Sequence, residues 1–142
     1  MTTDIKDRTK NFAVRIFKLA EALPKTFTGK TIAGQIARSG SSVAANVRAA
    51  HCARSNAEFI SKMRIVYEEA DETLFWLEMC EETKLLTPKK LESIKNDSNE
   101  IISIVVSIIK KVGNKKYEIR KRKIFFCIKT TNRKVMEIRN KK

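Results

Sequence analysis

Apolar residues recur along most of the chain at alternating spacings of four and three, the period of one face of an α-helix. Ile5, Thr9, Phe12, Ile16, Leu19 and Leu23 form the first series and predict a helix near residues 5–23. Pro24 stops it, because the residue before a proline avoids the α region. A second series, Ile32, Ile36, Gly40, Val43, Val47 and Ala50, predicts a helix that begins near Thr28 to Thr31. The third series, Phe59, Met63, Val66, Ala70, Thr73, Leu77 and Cys80, follows Ser55 and Glu58. That pair is the S-x-x-E pattern of a capping box. Thr87 and Pro88 open the fourth helix as N-cap and first helical residue. Its seam is Leu91, Ile94, Ser98, Ile101, Val105, Ile108 and Val112, with Gly113 placed just past the carboxyl end.

Four such helices joined by short connections predict an all-α, up-down-up-down antiparallel four-helix bundle over residues 1–113. Residues 114–142 are expected to form a flexible basic tail that orders only on binding. A hairpin turning at Thr130–Arg133 is the alternative. The second helix is unusual. Its uncharged residues are mostly small, and Gly40 in mid-helix costs about 1 kcal/mol relative to Ala. The apolar positions nevertheless keep period, so the segment reads as a helix that a neighbour approaches closely. Other helices carry more apolar surface than one face needs. Phe75, Trp76 and Met79 lie off the third seam, and Ile102, Ile104, Val106 and Ile109 lie off the fourth. Burial on two sides is the expectation, and with it a homo-oligomer.

Charge alters this picture at one point. The net formal charge is +14. Residues 1–112 hold 18 Lys/Arg and 14 Asp/Glu (+4), whereas residues 113–142 hold 12 and 2 (+10). A surplus of this kind favours a polyanion, RNA or DNA first. The candidate phosphate partners are Lys115, Lys116, Arg120, Lys121, Arg122 and Lys123, with Arg38, Arg48 and Arg54 on the body. A solvated tail on a scaffold for a protein partner is the competing reading. The three cysteines are widely spaced and form no CxxC pair, so neither a disulfide framework nor a zinc site is indicated. The amino terminus is polar, and the run IISIVVSII is too short to cross a bilayer. A soluble cytoplasmic protein without a membrane partner is expected.

Candidate chemistry is sparse. TGKT at 28–31 resembles the end of a P-loop, but Pro24 occupies the position of the required first glycine. His51 is the only histidine, which excludes paired Glu-x-x-His motifs. Glu68, Glu69, Asp71 and Glu72 invite a carboxylate-dyad reading, yet Arg64 stands one turn before Glu68 and an ion pair is simpler. Pairing of this acidic set with Arg48 or Arg54, on the neighbouring helix or a neighbouring subunit, is the alternative. No catalytic set, cofactor site or metal site can be assembled, and a non-enzyme is expected.

RSGSSVAANVRAA at 38–50, followed by RSNAEFISKMRIVYEEADETLFWLE at 54–78, resembles the bacterial four-helix-bundle proteins related to those encoded by intervening sequences in 23S rRNA genes. LPKTFTGKTIAGQI fits the same pattern, and the likeness covers roughly residues 8–112. The resemblance implies a bundle that assembles into a ring, usually a pentamer, with no known catalysis. A relative of that fold, the accessory variability protein of diversity-generating retroelements, is a basic pentamer that works with nucleic acid. By analogy the resemblance implies a nucleic-acid-handling role.

Overall fold

The computed structural model describes the backbone of residues 4–139 and the side chains of residues 4–114. It contains four helices: α1 (Ile5–Ala22), α2 (Phe27–His51), α3 (Asn56–Glu82) and α4 (Pro88–Arg139). Their ends follow local chemistry. Asp4 caps α1, its side chain accepting from the Lys6 N–H. Thr26 caps α2, its hydroxyl oxygen accepting from the Gly29 N–H at 3.1 Å. That cap starts α2 at Phe27, one residue earlier than the apolar series suggests. Ser55 caps α3 by accepting from the Glu58 N–H at 3.1 Å. The Glu58 carboxylate reaches back one residue further than in the usual box, to the Arg54 N–H.

The carboxyl end of α3 is closed by Lys84 at φ 57°. The Leu85 N–H bonds to the Cys80 carbonyl and the Lys84 N–H to that of Glu81, which is a Schellman closure. Gly113 plays no such part. No glycine among the described residues has positive φ, and α4 continues to Arg139. The helix end expected at Gly113 is therefore corrected, and the helical course excludes a hairpin turn at 130–133. A glycine without a left-handed conformation is an ordinary, slightly weak helix position, and it does not stop the chain.

Each helix packs on two neighbours, in the cycle α1–α2–α3–α4–α1, and the α1–α4 seam is the thinnest. The core lies on the axis. Ile16, Ile36, Val43, Val47, Met63, Val66, Leu77, Leu91, Ile101 and Val105 are all 0% exposed. Each contributes on the order of 1.5–3 kcal/mol of apolar burial. The predicted seams fall on the core face, except that Ile5, Leu19, Phe59 and Ile108 pack at its margin and half-buried Val112 lies beyond it. Ala13, Ala20 and Ser39 are buried outside those series.

The small-residue segment of α2 is rigid helix and a contact surface, as its period predicts. A Cβ built on Gly40 would lie 2.7 Å from Ile16 Cγ2. One on Gly29 would lie 2.0 Å from the Pro24 carbonyl oxygen, so only glycine fits where the connection turns into α2. On its other flank α2 meets α3 through hydroxyls. Thr73 Oγ1 lies 2.8 Å from Ser39 Oγ, and the carbonyls of Gln35 and Glu69 are the remaining acceptors. Ser98 on α4 donates to the Ala70 carbonyl at 3.0 Å. Every buried side-chain polar atom among the described residues has a partner.

Candidate nucleic-acid interface

Glu69 and Glu72 of α3 and Arg38 of α2 form the best-defined polar group on the described surface. Arg38, on the α3-facing flank of α2, ion-pairs with Glu69 at 3.2 Å and with Glu72. Its Nε lies 3.4 Å from Gln35 Oε1. Trp76 Nε1 donates to the same Glu72 oxygen at 3.2 Å. The Arg38 hydrogen bond, joined by that of Trp76, holds the Glu72 carboxyl below the ordinary carboxylate range against the opposing pull of burial. Glu72 in turn raises the Arg38 guanidinium above its ordinary value.

This arrangement corrects two expectations. Glu68 makes no ion pair with Arg64, since both are exposed on the outer face, where pairing gains little. Within the chain the arginine that meets the acidic set is Arg38, rather than Arg48 or Arg54. As a phosphate partner Arg38 is therefore already engaged by two carboxylates. Arg48 and Arg54 are exposed and make no ion pair among the described residues. Ten residues separate Arg38 from Arg48 on one helix, about 15 Å along its axis, so the two form no common cluster. The side chains of Lys115, Lys116, Arg120, Lys121, Arg122 and Lys123 lie outside the described residues.

Other charged groups serve the bundle seams. Arg8 pairs with Glu100, Arg15 with Asp97, and Lys95 with Glu81 at 2.7 Å. Arg15 also donates to Ser93 at 2.9 Å. The Glu81 contact raises Lys95. A groove of about 320 Å³ between α1 and α4 is lined by the paired Arg8, Glu100, Arg15 and Asp97.

The motifs weighed for catalysis have structural places. TGKT forms the first turn of α2, reached from α1 through a short connection. The His51 ring nitrogen Nδ1 bonds to the Val47 carbonyl at 2.8 Å, and its ring meets Phe59 edge-on. The Cys80 thiol is buried, and desolvation pushes it up to about 11, away from nucleophilic use. Among the described residues no three metal-ligating side chains come together. No described helix is long and apolar enough to cross a membrane.

The model of the family described as "23S rRNA-intervening sequence protein" matches residues 1–107. The chain belongs to that family. A crystal structure of a protein of unknown function from the S23 ribosomal protein family, from Bacteroides thetaiotaomicron, is similar to it at 44% sequence identity. The match has a TM-score of 0.70 and covers 75% of this chain and 98% of that one. No curated protein sequence matches. The intervening-sequence family match ends at residue 107, so the cationic segment from residue 113 onward lies beyond it.

Proposed function

We propose that this member of the 23S rRNA-intervening sequence protein family is a non-enzymatic, oligomeric bundle protein that binds RNA or DNA through basic surface. The observation that carries this reading is the charge split: 12 Lys/Arg against 2 Asp/Glu after residue 112. Polyanion binding uses cations without demanding a built pocket, so the scarcity of catalytic groups does not count against it. Self-assembly, with a pentamer as the family resemblance implies, is supported by exposed Val14, Phe17, Tyr67 and Phe75 on different faces. Repetition of the cationic segment around a ring would raise avidity for any strand long enough to reach several copies. A cytoplasmic location belongs to the same reading, supported by the free thiols of Cys52 and Cys80.

The test is salt-dependent binding by the full chain. Changing Lys115, Lys116, Arg120, Lys121, Arg122 and Lys123 together to Gln should reduce the log–log salt slope on duplex DNA by about 5, if all six contact phosphate. A parent chain that binds neither RNA nor DNA at low salt sinks the reading. A protein-interaction scaffold is the second reading. It is favoured by Phe75, 49% exposed on the outer face of α3 beside exposed Glu68 and Asp71. Capture of a protein partner that survives nuclease and high salt, with loss on Phe75→Ala, would decide for it.

A further inference from the structure

The up-down-up-down course places the α1–α2 and α3–α4 connections side by side at one end of the bundle. That end is chemically unlike the rest of the surface. Phe27, the first residue of α2, is 87% exposed, far more than any other large apolar side chain among the described residues. No core contact explains a phenylalanine there. Around it the two connections and the helix turns beside them present five exposed lysines: Lys25, Lys30, Lys84, Lys89 and Lys90. None of the five makes an ion pair among the described residues. Three exposed carboxylates, Glu21, Glu82 and Glu92, leave the end with an excess of positive charge. A groove of about 410 Å³ opens under the α3–α4 connection, floored by half-buried Leu85 and Leu86 and flanked by Lys84 and Lys90.

We propose that this end of the bundle is a contact for single-stranded nucleic acid, with Phe27 as a base-stacking platform and the lysines as phosphate partners. The inference rests on the nucleic-acid reading above and adds a second contact, on the body of the protein and away from the cationic carboxyl-terminal segment. The chemistry separates single strands from duplex. A bare aromatic ring can accept the face of an unpaired base, whereas a duplex offers no free base face except at its ends. Unpaired lysines suit phosphates without reading sequence, so the contact should tolerate any base order. An 87% exposed ring also costs nothing to remove from the fold, which makes its substitution a clean probe.

The experiment uses the full chain with a 20-nucleotide oligouridine, a duplex of similar length, and vesicles containing anionic lipid. Phe27→Ala should weaken oligouridine binding by about five- to a hundredfold and leave duplex binding unchanged. Ultraviolet crosslinking followed by peptide mass mapping should place a uridine adduct on Phe27. Changing Lys25, Lys30, Lys89 and Lys90 together to Gln should lower the salt slope on the single strand by about 3. Lys84 is left unchanged because it closes α3. Oligouridine binding that is indifferent to Phe27→Ala overturns the proposal, while leaving the carboxyl-terminal reading intact if duplex binding still responds to that segment. Vesicle capture abolished by Phe27→Ala, with oligouridine binding unaltered, overturns it in favour of a lipid surface. Failure of the parent chain to bind any nucleic acid removes both readings together.

Discussion

Gly40 of α2 and Ile16 of α1 meet so closely that a β-carbon on the glycine would lie 2.7 Å from Ile16 Cγ2, 3.0 Å from Cγ1 and 3.1 Å from Cβ. Ile16 is fully buried and β-branched, so it has little freedom to withdraw. Two effects oppose each other in Gly40→Ala. Helix propensity favours the change by about 1 kcal/mol, and overpacking penalises it by about 1–3 kcal/mol. Overpacking should win, and urea unfolding should show a net loss. In an Ile16→Ala background both γ-carbon contacts are gone and only the 3.1 Å approach to the β-carbon remains, so the same change should cost much less. Additive effects in this cycle would contradict the close approach.

Gly34 provides the counterpart on the same helix. Nothing lies within 4 Å of the β-carbon it lacks. Only the propensity effect operates there, and Gly34→Ala should stabilise the protein by about 0.8–1 kcal/mol. A shift in the urea midpoint at constant slope is the expected signature.

Lys84 holds a left-handed conformation, φ 57°, that favours glycine. A residue with a β-carbon pays on the order of 1 kcal/mol for it. Lys84→Gly should therefore raise the melting temperature while keeping the Schellman hydrogen bonds. A fall in melting temperature would show that the lysine side chain contributes more than its backbone costs.

The Arg38–Glu72 contact predicts a pH dependence. The Glu72 carboxyl is held below the ordinary glutamate value of 4.5 in the folded chain, chiefly by its hydrogen bond with Arg38. A depressed carboxylate contributes stability that is present above the unfolded pKa and is lost as pH falls through the folded one. The stability gap between parent and Arg38→Met should accordingly be constant near neutrality and shrink below about pH 4.5. Both partners are largely solvated, so the gap should be under about 1 kcal/mol. A gap that grows on acidification would contradict the pairing.

Cys80 should behave in the opposite sense. Burial raises its thiol from 9.0 to about 11. The unfolded thiol ionises first, so this stability is present below pH 9 and lost as pH rises towards 11. Native-state alkylation near pH 8 should label exposed Cys52 and spare Cys80 until the chain unfolds. Equal rates at the two thiols would show that the core opens readily.

Helices and their inward faces were legible because burial repeats with the helix period, as the buried series Met63, Val66, Ala70, Thr73, Leu77 and Cys80 shows. The close approach at Gly40 was legible for the same reason. Glycine on an apolar seam makes sense only where another backbone or side chain comes near. Partner choice among charges was less legible. Nothing in the one-dimensional order sets Arg38, rather than Arg48 or Arg54, beside Glu69 and Glu72; the α2–α3 register does, fixed by contacts such as Ser39 with Thr73. The course of α4 past Gly113 is not legible, because a glycine following the last apolar seam residue looks like a stop, while a stop also requires left-handed backbone. Phe27 gives no periodic signal, being a lone aromatic at the very start of α2, and only its exposure reveals it.

With an even number of passes, α1 starts at the end of the bundle where α4 leaves the other three helices, and the lysine-bearing connections lie at the opposite end. A purification tag fused ahead of Ile5 would stand next to the exit of the cationic segment and could mask or mimic its affinity for polyanions. Binding assays on tagged preparations should therefore be repeated after tag removal, with polyhistidine the least suitable choice.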